Sequence, residues 1–304
     1  VKSEDDMQTW NKMDSGITAS SPTIVMAHPT DLDTLFTSGN IMQESYLTRD
    51  NGQTWEPFTP VAAGDEVRID PHNYDHLLLI TEGTSIYESY YNRNSFTEIN
   101  EDFSSAKIFD FEIANDGSGN IYVANLGLGI SEYTFSDNAN PWAYMTGSPD
   151  YTYTIEIDPD DSEIVYASYS PKIFEDYSSI LKYDPDYEDN FGWEEILGIE
   201  DSTGITTLEF DPSNSDKIYT GVVGERGKIY TSDNKGEDWD LINDIFTFTT
   251  IHEIAIDPNN ENIVYAAPWG GGLFKSENNG ENWEELTTPT ISILTVIVDP
   301  TNSN

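Results

Sequence analysis

The chain has no cysteine, which removes disulfide staples, thiolate nucleophiles and cysteine-ligated zinc together. Basic residues are scarce: 13 Lys plus Arg stand against 56 Asp plus Glu, leaving a formal charge of −43. A surface so acidic repels phosphate backbones and anionic headgroups, and argues against nucleic-acid binding and docking on membranes. No apolar run approaches membrane-spanning length. No segment reads as a long amphipathic helix, and no charged-then-apolar leader precedes the first repeat, so a secretion signal is expected to have been removed or to lie outside the sequence. What is present, 37% hydrophobic residues and 12% aromatics in 304, is too rich for a disordered acidic chain.

Self-similarity organises the whole sequence. Alternating apolar segments ending in Asp-Pro recur at Val67–Pro71, Ile155–Pro159, Leu208–Pro212, Ile254–Pro258 and Val296–Pro300, with degenerate copies at Val25–Pro29 and Phe111–Asn115. Each predicts a strand stopped by a turn residue and a proline that cannot continue a ladder. A second short strand follows, as in Lys217–Thr220 or Ile263–Ala266. Then comes an octapeptide, Ser/Thr-x-Asp/Asn-x-Gly-x-x-Trp, at Thr48–Trp55, Ser232–Trp239 and Ser276–Trp283. It recurs at Ser3–Trp10 with Met7 where glycine belongs. Degenerate forms end at Phe96, Trp142 and Trp193, so the seven endings are spaced 45, 41, 46, 51, 46 and 44 residues apart. The octapeptide predicts a tight turn: glycine supplies positive φ, and the Asp or Asn side chain accepts the turn's own N–H groups.

On these motifs the chain resembles, over its whole length, the Asp-box (BNR-repeat) β-propeller superfamily, which includes sialidases, xyloglucanases, sortilin-type receptors and photosystem assembly factors. The resemblance implies an all-β single domain, 1–304, of seven four-stranded antiparallel blades. The seventh is expected to be composite, with its inner strand near Ile293–Val298 and its outer strands from the N-terminus. One irregularity accompanies that expectation. The interval from proline to the next box-ending aromatic is 25 to 27 residues in four repeats, but 14 across the two termini, short by roughly one strand and its turn.

The chemistry is less explicit than the fold. Sialidase members of the superfamily clamp a carboxylate with three arginines. Here Arg49, Arg68, Arg93 and Arg226 are the only four, two of them inside turn boxes, so that activity is rejected and no catalytic residue is assigned. Glycoside hydrolysis of the xyloglucanase type, which needs two carboxylates across a cleft, is the alternative. His72 and His76, spaced as zinc ligands on a helix, follow Asp-Pro in a predicted loop, where that spacing loses its geometry. Hard oxygen ligands concentrate at Asp184, Asp186, Glu188 and Asp189, and at Asp158 and Asp160. These are the candidates for Ca2+, although neither stretch matches a calcium-loop consensus. By the superfamily's geometry, ligands meet the face opposite the boxes. That maps onto Tyr151, Tyr153, Tyr169, Phe174, Tyr177, Arg226 and Trp269, with Phe246, Phe248 and His252 beside them. Aromatic rings among acids suit stacking on a sugar or gripping a protein segment.

The reading that follows is a non-enzymatic extracellular recognition or assembly module for protein or carbohydrate, with self-association through the closing blade as a further expectation. Surface acidity spread over every repeat fits a salt-exposed, exported protein, and no Asn-x-Ser/Thr sequon occurs. Self-repulsion at −43 weakens the folded state unless salt screens it. The melting temperature should therefore rise steeply from dilute buffer with chelator to molar NaCl. Equal melting in both sinks the halophilic reading.

Overall fold

The alternation along each Asp-Pro segment resolves into the first strand of an antiparallel sheet. In the computed structural model the described residues are 1–4, 7–17, 22–31, 33–39, 45–58, 64–81, 83–90, 95–100, 107–136, 141–170, 177–243 and 250–300. They fall into two compact units, one formed by Val1–Lys107 with Asp299 and Pro300, the other by Ile108–Val298.

The first unit holds two four-stranded sheets. These are β1 (Pro22–Ala27), β2 (Leu35–Gly39), β3 (Tyr46–Thr48) and β4 (Glu56–Pro57), then β5 (Gly64–Ile69), β6 (His76–Thr81), β7 (Ser85–Tyr90) and β8 (Phe96–Glu98). The second unit holds four. The third sheet is β9 (Ile108–Ile113), β10 (Ile121–Asn125), β11 (Gly129–Tyr133) and β12 (Trp142–Tyr144). The fourth is β13 (Ile155–Asp158), β14 (Asp161–Tyr169), β15 (Tyr177–Tyr183) and β16 (Trp193–Glu200). The fifth is β17 (Ser202–Asp211), β18 (Asn214–Gly224), β19 (Lys228–Ser232) and β20 (Asp240–Asn243). The sixth is β21 (Ile251–Ile256), β22 (Val264–Pro268), β23 (Leu273–Ser276) and β24 (Glu284–Leu286). In every sheet each strand pairs antiparallel with the next in sequence, and a short 3-10 turn (Asn190–Gly192) interrupts the β15–β16 connection.

The blade count is therefore six among the described residues, not the seven expected, and no composite blade forms. The segment 287–298 carries the apolar alternation of an inner strand yet makes no ladder. At the N-terminus, one isolated bridge, Lys2 with Asn11, stands where outer strands were expected. A strand needs a neighbour's N–H and C=O groups, and no strand among the described residues forms a ladder with this segment. The turn of the seventh copy persists without its blade. Met7 takes φ of 62° in glycine's place, and its N–H donates to Ser3 Oγ at 2.8 Å.

Side-chain acceptors set both kinds of turn. Where the first strand ends, the carboxylates of Asp70, Asp158, Asp211 and Asp257 each accept the N–H two residues on, at 2.8–2.9 Å. His28 does the same work with Nδ1, which accepts the N–H groups of Thr30 and Asp31 at 3.3 and 3.0 Å. In the octapeptides, the hydroxyls of Thr48, Ser232 and Ser276 accept from the N–H of Gly52, Gly236 and Gly280 at 2.8–3.0 Å. Asp50, Asn234 and Asn278 accept from the residue four positions on at 2.8–2.9 Å. The two residues at each tip are left-handed, as in Lys235 (φ 55°) and Gly236 (φ 88°).

The cores lie between the faces of successive sheets. In the first unit Phe36 and Leu47 meet Val67, Ile69, Leu77 and Leu79. In the second, Tyr166 and Ile180 of the fourth sheet pack on Leu208, Ile218 and Val222 of the fifth. Each such side chain contributes roughly 1.5–3 kcal/mol by leaving water. Trp239 and Trp283 are half-buried at the rims of such cores; Trp239 packs on the cluster containing Ile180 and Ile199. A Cβ at Gly236 would lie 2.5 Å from Ile196 Cδ1 of the preceding sheet, in a left-handed backbone. Gly236→Ala should cost about 1–3 kcal/mol, measured as a lower midpoint in urea; an unchanged midpoint would show that this close approach is not a constraint.

Candidate functional site

The described aromatic candidates lie in the second unit, at the end of the sheets where second strands turn into third ones. Trp269, in the β22–β23 turn, is 59% exposed, and its ring stacks on His252 of β21 at 5.6 Å and 17°. The turn is held open by Gly270 and Gly272 at φ of 69° and 78°, with the Trp269 N–H donating to Thr250 O at 3.0 Å. Tyr153 packs on Phe109 at 4.7 Å, and its N–H donates to Ser168 Oγ. Tyr151 is half-buried, with its carbonyl accepting from Ser170 N–H at 3.2 Å. Tyr169 closes β14 and Tyr177 opens β15. Burial first, and then the Glu195 carboxylate, push the Tyr177 hydroxyl up to about 12. Arg226 is exposed in the β18–β19 turn. Phe174, Phe246 and Phe248 lie outside the described residues.

The acidic candidates sit at the opposite end of the same sheets. Asp158, 1% exposed, accepts from Lys235 Nζ at 2.9 Å, and so does Asp160. This pair therefore already holds a cation supplied by the next sheet. Asp184 Oδ1 accepts the N–H of Asp186 at 2.8 Å in the β15–β16 turn, while Asp186, Glu188 and Asp189 face solvent. Among the described residues no three His, Asp or Glu side chains converge in metal-holding geometry. His76, one of the pair set aside as zinc ligands, is buried in the first unit between Asp70 (3.3 Å) and Glu88 (3.5 Å) and stacks on Tyr90.

Sequence reasoning missed a cleft of about 390 Å3 between the third and fourth sheets. Its walls carry Tyr122, Tyr144, Tyr183 and Phe191, and its acids are Asp116, Glu132 and Glu163. Tyr122 is buried, and its hydroxyl donates to Ser162 O at 3.2 Å. Tyr144 and Phe191 are 57% and 71% exposed. Phe191 holds a left-handed backbone, φ 59° and ψ 31°, which is rare for a bulky residue. A Cβ on Gly147 would overlap its ring. Ser118 hydrogen bonds hold the Asp116 carboxyl below the usual range. Burial, then the charges of Glu163 and Asp116, raise that of Glu132 against a lowering hydrogen bond from Thr134. One signal was present in the repeat. In the four sheets of the second unit, the tyrosine of the second strand faces a residue of the third: Lys182 opposite Tyr166, Thr231 opposite Tyr219, Lys275 opposite Tyr265, but Glu132 opposite Tyr122.

A raised carboxyl favours the protonated form in the folded state, so its burden on stability is absent below the ordinary glutamate range and grows as pH rises through it. Glu132→Gln should raise the melting temperature at pH 7 and lose that advantage near pH 4. An unchanged melting temperature at pH 7 would show that Glu132 is not under electrostatic stress.

No protein-family model matches the chain. A xyloglucanase of Hypocrea jecorina is 30% identical over 131 residues, covering 38% of this chain and 15% of that enzyme's length. The GH74 xyloglucanase from Xanthomonas campestris is similar in structure at a TM-score of 0.68 and 18% identity, over 86% of this chain and 45% of that one. YCF48 bound to D1 peptide is similar at a TM-score of 0.59 and 18% identity, over 89% of this chain and 87% of that one. The chain thus spans less than half of the xyloglucanases it matches, and what these likenesses establish is its fold, an all-β propeller of four-stranded blades.

Proposed function

We propose that the chain is a non-catalytic recognition module of the Asp-box type, exported to a salty exterior, that grips a sugar chain or an extended peptide on Trp269. The observation that carries this is the Trp269–His252 stack. A large ring lies 59% exposed on a second ring that fixes its plane, so little side-chain entropy is lost when a ligand stacks on it. The octapeptide turns support the Asp-box reading, since hydroxyl, carboxylate or amide, and left-handed glycine all act as that motif requires. Near end-to-end likeness to YCF48, solved with a peptide bound, supports a binding role for one propeller by itself. The second reading, a hydrolase of the xyloglucanase kind, is favoured by the 30% identity to such an enzyme over part of the chain.

The test is a glycan and peptide array read by tryptophan fluorescence, alongside a reducing-end assay on xyloglucan. Binding without product release is expected, with Trp269→Ala weakening affinity about tenfold or more. Turnover on xyloglucan would overturn the non-catalytic reading. Full affinity in Trp269→Ala would remove the stacking platform from the site.

A further inference from the structure

We infer that the cleft between the third and fourth sheets is a second binding site, for a small organic cation of the alkylammonium class held between Tyr122, Tyr144 and Phe191 and the carboxylates of Glu132, Glu163 and Asp116.

The neighbouring sheets set a lysine beside the corresponding tyrosine, from the third strand or from the second itself. In the fourth sheet Lys182, opposite Tyr166 in the ladder, places Nζ 5.6 Å from its ring centre; in the fifth, where Thr231 stands opposite Tyr219, Lys217 from two residues earlier on the same strand places Nζ 5.4 Å from that ring centre. Both are within reach of a cation–π attraction. In the sixth, Lys275 stands opposite Tyr265 in the ladder. The repeat thus places its own ammonium group beside the inter-sheet tyrosine. In the third sheet the residue opposite Tyr122 is Glu132, of inverted charge, and a cleft of about 390 Å3 opens there. None of the described residues lining it is basic, and three are acids.

Volume, walls and charge select the ligand together. About 390 Å3 falls at the small-molecule end of ligand sites. The faces of aromatic rings attract cations, most strongly where water is displaced. Glu132 is the half-buried acid of the three, and its raised pKa reports both its desolvation and the repulsion from Glu163 and Asp116. A bound ammonium group relieves that repulsion by placing a positive charge among the three carboxylates. Two rings also stand unusually exposed for such a wall: Tyr144, and Phe191 on its left-handed backbone against Gly147. A neutral sugar would use the rings but would leave the three carboxylates uncompensated, and an anion is excluded by them.

The experiment is calorimetric titration of the intact protein with choline. Its uncharged isostere 3,3-dimethylbutan-1-ol serves as control, both in the same high salt so that long-range attraction to the acidic surface is screened. Saturable choline binding is expected, about tenfold or more tighter than the isostere. Tyr144→Ala, Glu132→Gln and Glu132→Lys should each lose at least about that factor, while the two Glu132 variants melt at or above the parent temperature. Glu132→Lys also serves as an internal check, because it supplies from within the ammonium that the other sheets carry. Equal binding of the isostere, no saturation by choline, or full choline affinity in Glu132→Lys would each overturn the inference. Because Trp269 lies at the other end of the sheets, Trp269→Ala should leave choline binding unchanged. Failure here and failure of the recognition reading are thereby separable.

Discussion

Everything else in the fold depends on how closely one sheet's turn can approach the sheet before it. Gly236 lies against Ile196, Gly280 against Ile242, and Gly52 against Met13. At each contact the backbone itself, without a side chain, meets an apolar group of the preceding segment. The left-handed φ of these glycines turns the fourth strand back, and the half-buried tryptophan that follows covers the edge of the same contact. Hydrophobic packing between the sheets then supplies most of the stabilisation. Met13 belongs to no named strand, yet Trp55 Nε1 donates to its carbonyl at 3.0 Å, and Trp55 N–H donates to Ser15 O at 2.8 Å. The N-terminal segment thus gives the first sheet the contact that an outer strand gives the others.

Polar ties follow the same sheet-to-sheet logic. The left-handed residue before each glycine reaches back to the preceding segment. Asn51 accepts from Lys2, Asn279 from Lys217, and Lys235 donates to Asp158 and Asp160. Asp158 is buried, and its Oδ1 accepts both the Asp160 N–H and the Lys235 ammonium group, which offset the cost of burying the carboxylate. In a chain with so few basic residues, Lys235 meets a buried carboxylate and Lys217 a tyrosine face. The third sheet departs from the pattern, with Glu132 opposite Tyr122 and a cleft beside them.

The two ends of the second unit are chemically different. One end carries ring pairs at strand exits, Trp269 on His252 and Tyr153 on Phe109, positioned by short turns on a rigid scaffold. The other carries acids, of which Asp158 and Asp160 meet Lys235 and Asp184 accepts its own turn's N–H, while Asp186, Glu188 and Asp189 face solvent.

The repeat in the sequence determined the strand pattern, the turn chemistry and the blade size, because alternation, Asp-Pro stops and the octapeptide act over a few residues. It also carried the substitution of His28 for an aspartate, since an unprotonated Nδ1 accepts an N–H as a carboxylate does. Only the tertiary structure decided the number of blades. Ile293–Val298 has the pattern of a strand, but a strand exists only where another backbone pairs with it, and periodicity says nothing about that neighbour. The same holds for the cleft. Asp116, Glu132, Glu163 and Phe191 are dispersed over 76 positions of the sequence and become one surface only when two sheets lie face to face. Local rules specify the blades, and the long-range pairing of separate segments specifies what lies between them.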